Sequence, residues 1–268
     1  MAQATLVKPG TKVKLKDYDP NYCAGLQKHD EEVSERIAQA RQKIYNFQEW
    51  LYAEQQRALL IVLQAMDTGG KDGTIKHVMR GLNPQGVRVA SFKQPTPQEL
   101  AHDFLWRVHR QTPARGQIGV FNRSHYEDVL VVRVHDLVPE KVWKRRYDQI
   151  NEFEELLVES GTRILKLFLY ISPDEQKERL QARLDNPKKH WKFALGDIEE
   201  RKLWDEYIEA YEDALTRCST EAAPWHIIPA NRKWYRNLVV AERVRDELAA
   251  MDPKCPEPRD DLSHIVIE

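Results

Sequence analysis

Apolar residues recur at Val33, Ile37, Ala40, Ile44, Phe47 and Leu51, and this 4-3-4-3-4 spacing predicts one long helix from about Asp30 to Gln55. The pattern then changes. Leu59-Leu60-Ile61-Val62-Leu63 is an unbroken branched run, the signature of a strand buried on both faces. Downstream, short apolar runs at Val87–Ser91, Gly116–Phe121, Ile164–Ile171 and Trp225–Ile228 read as four more strands. Helical spacing lies between them. It covers Ile75–Leu82, a segment from Pro95 to about His109 with Thr96 as its cap, Val129–Val134, and a long helix after Pro139 with Trp143, Tyr147, Ile150 and Leu157 on one stripe. Pro173–Leu184, Asp197–Cys218 (Trp204, Ile208, Tyr211 and Leu215 inward) and Arg232–Met251 complete the set. Asn83-Pro84-Gln85-Gly86 is a turn. Strands alternating with helices predict an α/β fold, a mostly parallel five-stranded sheet covered by helices on both faces. Residues 1–28 lack any period and read as an extended arm, which with the first helix forms an extension (1–56) packed on the core or on a second subunit. The Pro- and acid-rich tail from Asp252 is expected to be loosely held until Ile265-Val266-Ile267.

Composition narrows the classes. At 268 residues the chain can bury one large α/β domain, and we expect a single domain over 1–268. A formal net charge of −1 argues against a general nucleic-acid coat, so any polyanion site must be a local concentration of cations. Cys23, Cys218 and Cys255 are odd in number and far apart, which gives neither a disulfide framework nor zinc spacing. No apolar run approaches the ~18 residues of a membrane span, and the N-terminus has no signal-peptide core; a cytoplasmic protein without a membrane partner is expected. The sequon Asn122-Arg123-Ser124 is therefore read as chance.

The chemistry concentrates where the first strand ends, in LLIVLQAMDTGGKDGT. Strand, glycine turn, lysine and helix form the layout of a phosphate-binding loop: glycines turn backbone N–H groups inward, the helix N-terminus adds positive charge, and the lysine reaches the outer phosphates. Against G-x-x-x-x-G-K-[ST], Ala65 replaces the first glycine and Asp72 stands where a metal-binding Ser or Thr is usual. Gly69, Gly70, Lys71, Gly73 and Thr74 are candidate phosphate contacts, with Lys76 one turn on. Two carboxylates in a loop built for phosphates repel them unless Mg²⁺ stands between. Asp72 reads as a helix N-cap and Asp67 as the metal carboxylate.

Two further segments follow strands at their carboxyl ends, where α/β sheets bind ligands. Asn122-Arg123-Ser124-His125-Tyr126-Glu127-Asp128 follows the third strand. Arg123 is placed to clamp a phosphate. His125 reads as a hydrogen-bonding residue that joins the phosphate contacts, with Arg133 downstream. Glu127 and Asp128, at a helix start, suit either the helix dipole or a nucleotide. A zinc-deaminase reading of His125-Tyr126-Glu127 fails for want of paired cysteines. The other segment sets Arg183, Lys188, Lys189 and Lys192 against Asp185 alone, a local charge of +3. Lying before the last strand, where nucleotide kinases carry a lid, it is expected to close over anionic substrate as a lid spanning 183–197. No Ser-His-Asp order or cysteine nucleophile stands out.

Together AMDTGGKDGTIK, LNPQGVRVASFKQPT, FNRSHYEDVLVVRVH, RLDNPKKHWKF and WDEYIEAYEDAL closely resemble the family-2 polyphosphate kinases over roughly Lys43 to Arg245. The resemblance implies a phosphate-loop kinase fold like thymidylate kinase. It also implies dependence on Mg²⁺ (or Mn²⁺), reversible phosphoryl transfer between inorganic polyphosphate and adenine or guanine nucleotides, and a homo-oligomer, dimer or tetramer. Asp67 and Lys71 match the family's phosphate-loop metal carboxylate and lysine, Arg123 its second-motif arginine, and Arg183 through Lys192 its lid. Many members carry Asp where this chain has Asn122, which shifts metal duty toward Asp67, with Glu127 as a second metal candidate. Asn122, Glu127 and Asp128 are expected at the nucleotide, and Glu127-Asp128 resembles the class accepting both AMP and ADP. An ATP-dependent nucleotide or nucleoside kinase and a non-catalytic polyanion-binding module are the alternatives. Asp72 and the basic lid count against the first, and the second predicts that Lys71 matters no more than any lid lysine.

Overall fold

A computed structural model describes residues 4–258, 260, 261 and 267. The apolar runs pair as one six-stranded sheet. In chain order its elements are β1 (Thr5–Leu6), α1 (Glu31–Glu54), β2 (Ala58–Gln64), α2 (Lys71–Val78), β3 (Val87–Ser91), α3 (Pro97–Leu100), α4 (Trp106–His109), β4 (Ile118–Asn122), α5 (Val131–Val134) and α6 (Glu140–Glu159). They continue with β5 (Thr162–Tyr170), α7 (Pro173–Leu184), α8 (Gly196–Lys202), α9 (Trp204–Arg217), β6 (Trp225–Pro229) and α10 (Lys233–Met251). The spatial order is β1-β6-β5-β2-β4-β3. Every residue of β2 is buried, as its unbroken apolar run requires, and β2 runs parallel to both β4 and β5. β2 is where the chain stops adding strands on one side and starts on the other, so its carboxyl end opens onto the crevice of a parallel sheet.

The sheet is mixed, not five-stranded. β1 adds a sixth strand antiparallel to β6, with Thr5 opposite Ile227. Two residues carry no alternation for a sequence reading to detect. The arm is held by long-range bonds instead: Val13 N–H donates to Thr216 Oγ1 (3.0 Å), Leu15 N–H to Glu212 Oε1 (2.8 Å) and Ser219 Oγ–H to the Val7 carbonyl (2.6 Å). It therefore packs on its own core. α1 buries Val33, Ala40, Ile44 and Leu51 as its spacing predicts, and lies along α10, which also packs on α2. α6 covers β5 from the other side with Trp143, Tyr147, Ile150 and Leu157.

Two expected helices are broken. Asp103 accepts from the N–H groups of Leu105 and Trp106, and this local capping splits Pro95–His109 into α3 and α4. Thr96 nevertheless caps α3, in a capping box with Glu99. Asp197–Cys218 divides at Leu203: α9 buries Ala210, Tyr211, Ala214 and Leu215, whereas α8 buries none of its residues. Of the expected tail anchor, Ile265 and Val266 lie outside the described residues. Among the described residues no helix is long and apolar enough to cross a membrane.

Candidate active site

The turn after β2 is too tight for side chains at two positions. A Cβ on Gly69 would fall 2.5 Å from the Ala65 Cβ and 2.8 Å from the Met66 carbonyl oxygen. Gly70 has φ +101°, and a Cβ there would meet Arg236 Nη1 at 1.8 Å. Gly70 is the N-cap of α2, and no side chain caps this helix, so its first-turn N–H groups are left for a ligand. Asp72 is thus not the cap expected from the sequence. It is the second residue of α2, where its carboxylate accepts from Asn122 Nδ2 (2.7 Å) and lies 3.5 Å from Lys192 Nζ. Burial alone pushes Asp72 up, but the Asn122 hydrogen bond and Lys192 outweigh it and hold the carboxyl below its ordinary value. Lys71 is buried. Its Nζ donates to the Ala65 carbonyl (2.9 Å), and burial, helped by Arg123 against the pull of Asp67, Glu127 and Asp72, lowers its pKa to about 8. The Thr74 hydroxyl donates back to the Gly70 carbonyl (3.1 Å).

β4 delivers the second segment beside this loop. Asn122 is in register with Leu63, and Arg123 N–H donates to the Leu63 carbonyl (3.1 Å). Arg123 then takes φ +62°, which few non-glycine residues adopt, and turns its guanidinium back over the loop. Nη2 donates to Asp67 Oδ1 (2.6 Å) and Nη1 to Glu127 Oε2 (3.1 Å). A recess opens here, lined by Asp67, Arg123, Glu127, Gln176, Glu200, Tyr207 and Tyr211.

The rest of the segment faces elsewhere. His125 is fully buried and hydrogen-bonds Glu154 Oε1 through Nε2 (3.0 Å), so it is an internal anchor with no face for a phosphate. Asp128 accepts from Arg146 (3.0 Å) and lies 3.9 Å from Arg107, on the far side of the turn from Arg123. Arg133 is also turned aside. It donates to Asp213 (2.6 Å) and Glu209 (2.7 Å), tying α5 to α9. Lys76 is exposed on α2. In the basic segment, Arg183 donates to the Lys192 carbonyl (3.0 Å) and Lys188 and Lys189 are exposed; Lys192 is the one that reaches the loop helix, at Asp72.

The loop's outer supports are side chains that no motif singled out. Arg179 on α7 donates to the carbonyls of Thr68 (2.9 Å), Ala230 (2.6 Å) and Asn231 (3.0 Å), and Gln176 donates to that of Asp67 (3.2 Å). Arg236 on α10 lies against Gly70 and Gly73, its pKa lowered to about 10 by burial and then by Arg179. The available signal was positional: α7 and α10 each follow the carboxyl end of a strand.

For a divalent cation, the donor set is hard oxygen: Asp67 and Glu127 share one recess and both face Arg123. Among the described residues no cluster of three or more His, Cys, Asp or Glu forms a protein-only cage. That combination fits Mg²⁺ held by one or two carboxylates together with substrate phosphates.

The family model described as polyphosphate kinase 2 matches residues 27–256, a span that includes the loop, the Arg123 turn, the basic segment and both supporting arginines. This chain belongs to the polyphosphate kinase 2 family. Its relatives include an AMP/ADP-polyphosphate phosphotransferase of Meiothermus ruber, 53% identical over 262 residues and 98% of each chain. An ADP-polyphosphate phosphotransferase of Rhodopseudomonas palustris is 43% identical, over 94% of this chain and 91% of that one. The crystal structure of polyphosphate kinase 2 from Arthrobacter aurescens superposes with a TM-score of 0.91 at 44% identity, covering 96% of this chain and 92% of that one.

Proposed function

We propose that this chain transfers phosphoryl groups between inorganic polyphosphate and nucleotides, phosphorylating AMP to ADP and ADP to ATP. The observation that carries the reading is the Asp67–Arg123–Glu127 bridge set beside buried Lys71 at the carboxyl end of β2. The names of two relatives, AMP/ADP- and ADP-polyphosphate phosphotransferase, support the substrate class. The parallel core and its loop support a phosphate-loop kinase fold of the thymidylate-kinase kind, with residues 183–197 as its lid. Lys71 and the first-turn N–H groups of α2 bind the terminal phosphate of the donor, and Arg123 aligns the phosphoryl group in flight. The acceptor is a phosphate oxygen already anionic at neutral pH, so no general base is needed: one P–O bond breaks as another forms, and the side chains neutralise and orient. Asp67 and Glu127 are the residues to hold Mg²⁺, or Mn²⁺ in its place, which when bound offsets phosphate charge.

The test is a mixture of purified protein, AMP and polyphosphate with no ATP supplied. ADP and then ATP are expected, and their absence across divalent metals overturns the reading. Glu127 addresses the acceptor. With Asp128 turned to Arg146, Glu127 is the member of this acidic pair that faces the recess. Glu127→Asn should lower kcat/KM for AMP more than for ADP; equal losses make Glu127 a partner of Arg123 and nothing more.

A further inference from the structure

Most buried or central cations in this chain have carboxylate partners: Arg36 has Glu242, Arg123 has Asp67, Arg133 has Asp213 and Arg146 has Asp128. The outer face of α2 is an exception. Lys76, His77 and Arg80 are exposed there without an ion pair among the described residues, and half-buried Arg41 of α1, likewise unpaired among them, lies beside Arg80. Burial and then Arg80 depress the Arg41 guanidinium. His77 is depressed by burial and by four surrounding cations, Arg41, Arg236, Lys76 and Arg80. One turn closer to the loop, the Arg236 guanidinium covers Gly70 and Gly73; a Cβ on Gly73 would lie 3.2 Å from its Nη2. Beyond Arg236, Lys233 is depressed by burial, by Arg179 and Arg236, and by Lys189 of the basic segment. The acid near this end is Glu175, and it is occupied by Arg179 at 2.6 Å.

Lys189 and Lys233 are exposed on one side of the phosphate loop's outer wall and Lys76, His77 and Arg80 on the other, with Arg236 buried beneath Gly70 and Gly73 between them and Arg41 half-buried at the far end. Their mutual repulsion opposes folding, and no hydrogen bond or ion pair of the described residues offsets it at Arg41 or Arg80. We propose that this cationic face is a distal subsite for polyphosphate, along which a chain whose terminal phosphoryl lies at Lys71 leaves the loop over Gly73, with Arg236 buried beneath, and runs down α2 past Lys76, His77 and Arg80 to Arg41. The proposal rests on the polyphosphate reading above. From Gly73 to Arg80 the helix advances about 10 Å, at ~1.5 Å per residue, so Arg41 and Arg80 meet phosphates several units from the reacting end. Long donors gain from them and short ones do not.

The experiment compares the Arg41→Gln/Arg80→Gln double variant with the unaltered protein, using long-chain polyphosphate and short linear oligophosphates as donors at several salt concentrations. KM for the long donor should rise about fivefold, with a shallower salt dependence, as expected for the loss of two charge contacts, one exposed and one half-buried. KM for the short donor, and kcat with both, should stay within twofold. Neither side chain makes a hydrogen bond that the change removes, and unchanged circular dichroism and Tm verify the fold. Arg80→Glu, which reverses one charge, should raise the long-donor KM further. An unmoved long-donor KM, or an equal rise for both donors, overturns the proposal. So does binding of a single-stranded oligonucleotide that is lost in the double variant while polyphosphate kinetics hold, since the cationic face then serves nucleic acid. Failure of the unaltered protein to use any polyphosphate removes the underlying reading itself, an outcome distinct from the others.

Discussion

Arg123 occupies its φ of +62° because the residues after it are anchored in turn. Ser124 Oγ accepts from Gln64 Nε2 (3.0 Å), His125 and the Tyr126 hydroxyl bind Glu154, and Asp128 binds Arg146, which leaves Arg123 and Glu127 as the side chains that face the recess. In the proposed reaction Lys71 is the side chain with the largest role. Lys71→Ala forfeits one hydrogen bond to a carbonyl, about 1 kcal/mol, but should lower turnover on the order of a hundredfold or more; steady-state rates beside circular dichroism separate the two effects. Asp128 is testable through pH. Burial raises its pKa from 3.8 to about 6 despite Arg146 and Arg107, so its protonated form suits the fold. Its contribution is present below pH ~4 and is lost as pH rises through 6. Asp128→Asn escapes that loss, so denaturant unfolding at pH 4 and pH 7 should show the variant gaining on the parent with rising pH, by about 3 kcal/mol at most. Leaving Arg146 without its partner shifts both pH values alike, and a gap that does not change with pH means Asp128 stays ionised throughout. Lys71, Asp67 and Arg123 were legible in the sequence because each lies in, or at the end of, the turn that leaves the carboxyl end of a strand. His125 and Asp128 were not: in a 3-10 turn, consecutive residues point in different directions, and the sequence carries no register for it. Arg179 and Arg236 reach the loop only through tertiary packing.

At the scale of elements, residues 183–197 carry the most exposed large apolar side chains near the site, Trp191 and Leu195 at 79% each. The segment is tied down by Arg183, Asp197 and the Lys192–Asp72 pair. Replacing Lys188, Lys189 and Lys192 together with Gln should raise the KM for polyphosphate several-fold and flatten its salt dependence, because screened contacts are removed. A KM that holds across a salt series reduces the segment to a solvated loop. The break at Leu203 puts α8 with this segment and leaves α9 in the core. The continuous helical spacing over Asp197–Cys218 concealed it, since periodicity shows where an apolar stripe can run but not where packing begins. Pro173–Leu184, with Ser172 as its cap and Pro173 at its first position, matched to the residue because local chemistry fixes its start.

At the scale of the molecule, the sheet encloses a charge. Lys166 in mid-strand is fully buried, with its Nζ 2.5 Å from Glu154 Oε2, 2.8 Å from the Tyr126 hydroxyl and 2.6 Å from the Cys218 carbonyl. Lys166→Met leaves Glu154 charged and facing only His125 and Tyr126, and should destabilise the fold by about 3–5 kcal/mol; adding Glu154→Leu should recover part of it, as read by denaturant unfolding. The alternation of strands and helices was enough to infer the parallel core, since each β2 neighbour arrives by a helical crossover. The antiparallel edge was not inferable, because its two residues become a strand only when β6 is there to pair with. That edge also sets an order of events during synthesis. Thr5 leaves the ribosome long before its partner Ile227, so until then the arm has no edge to join and the flank of β5 is uncovered. Nascent chains halted before Trp225 should therefore be cleaved in the arm by protease, and chains released after Met251 should resist.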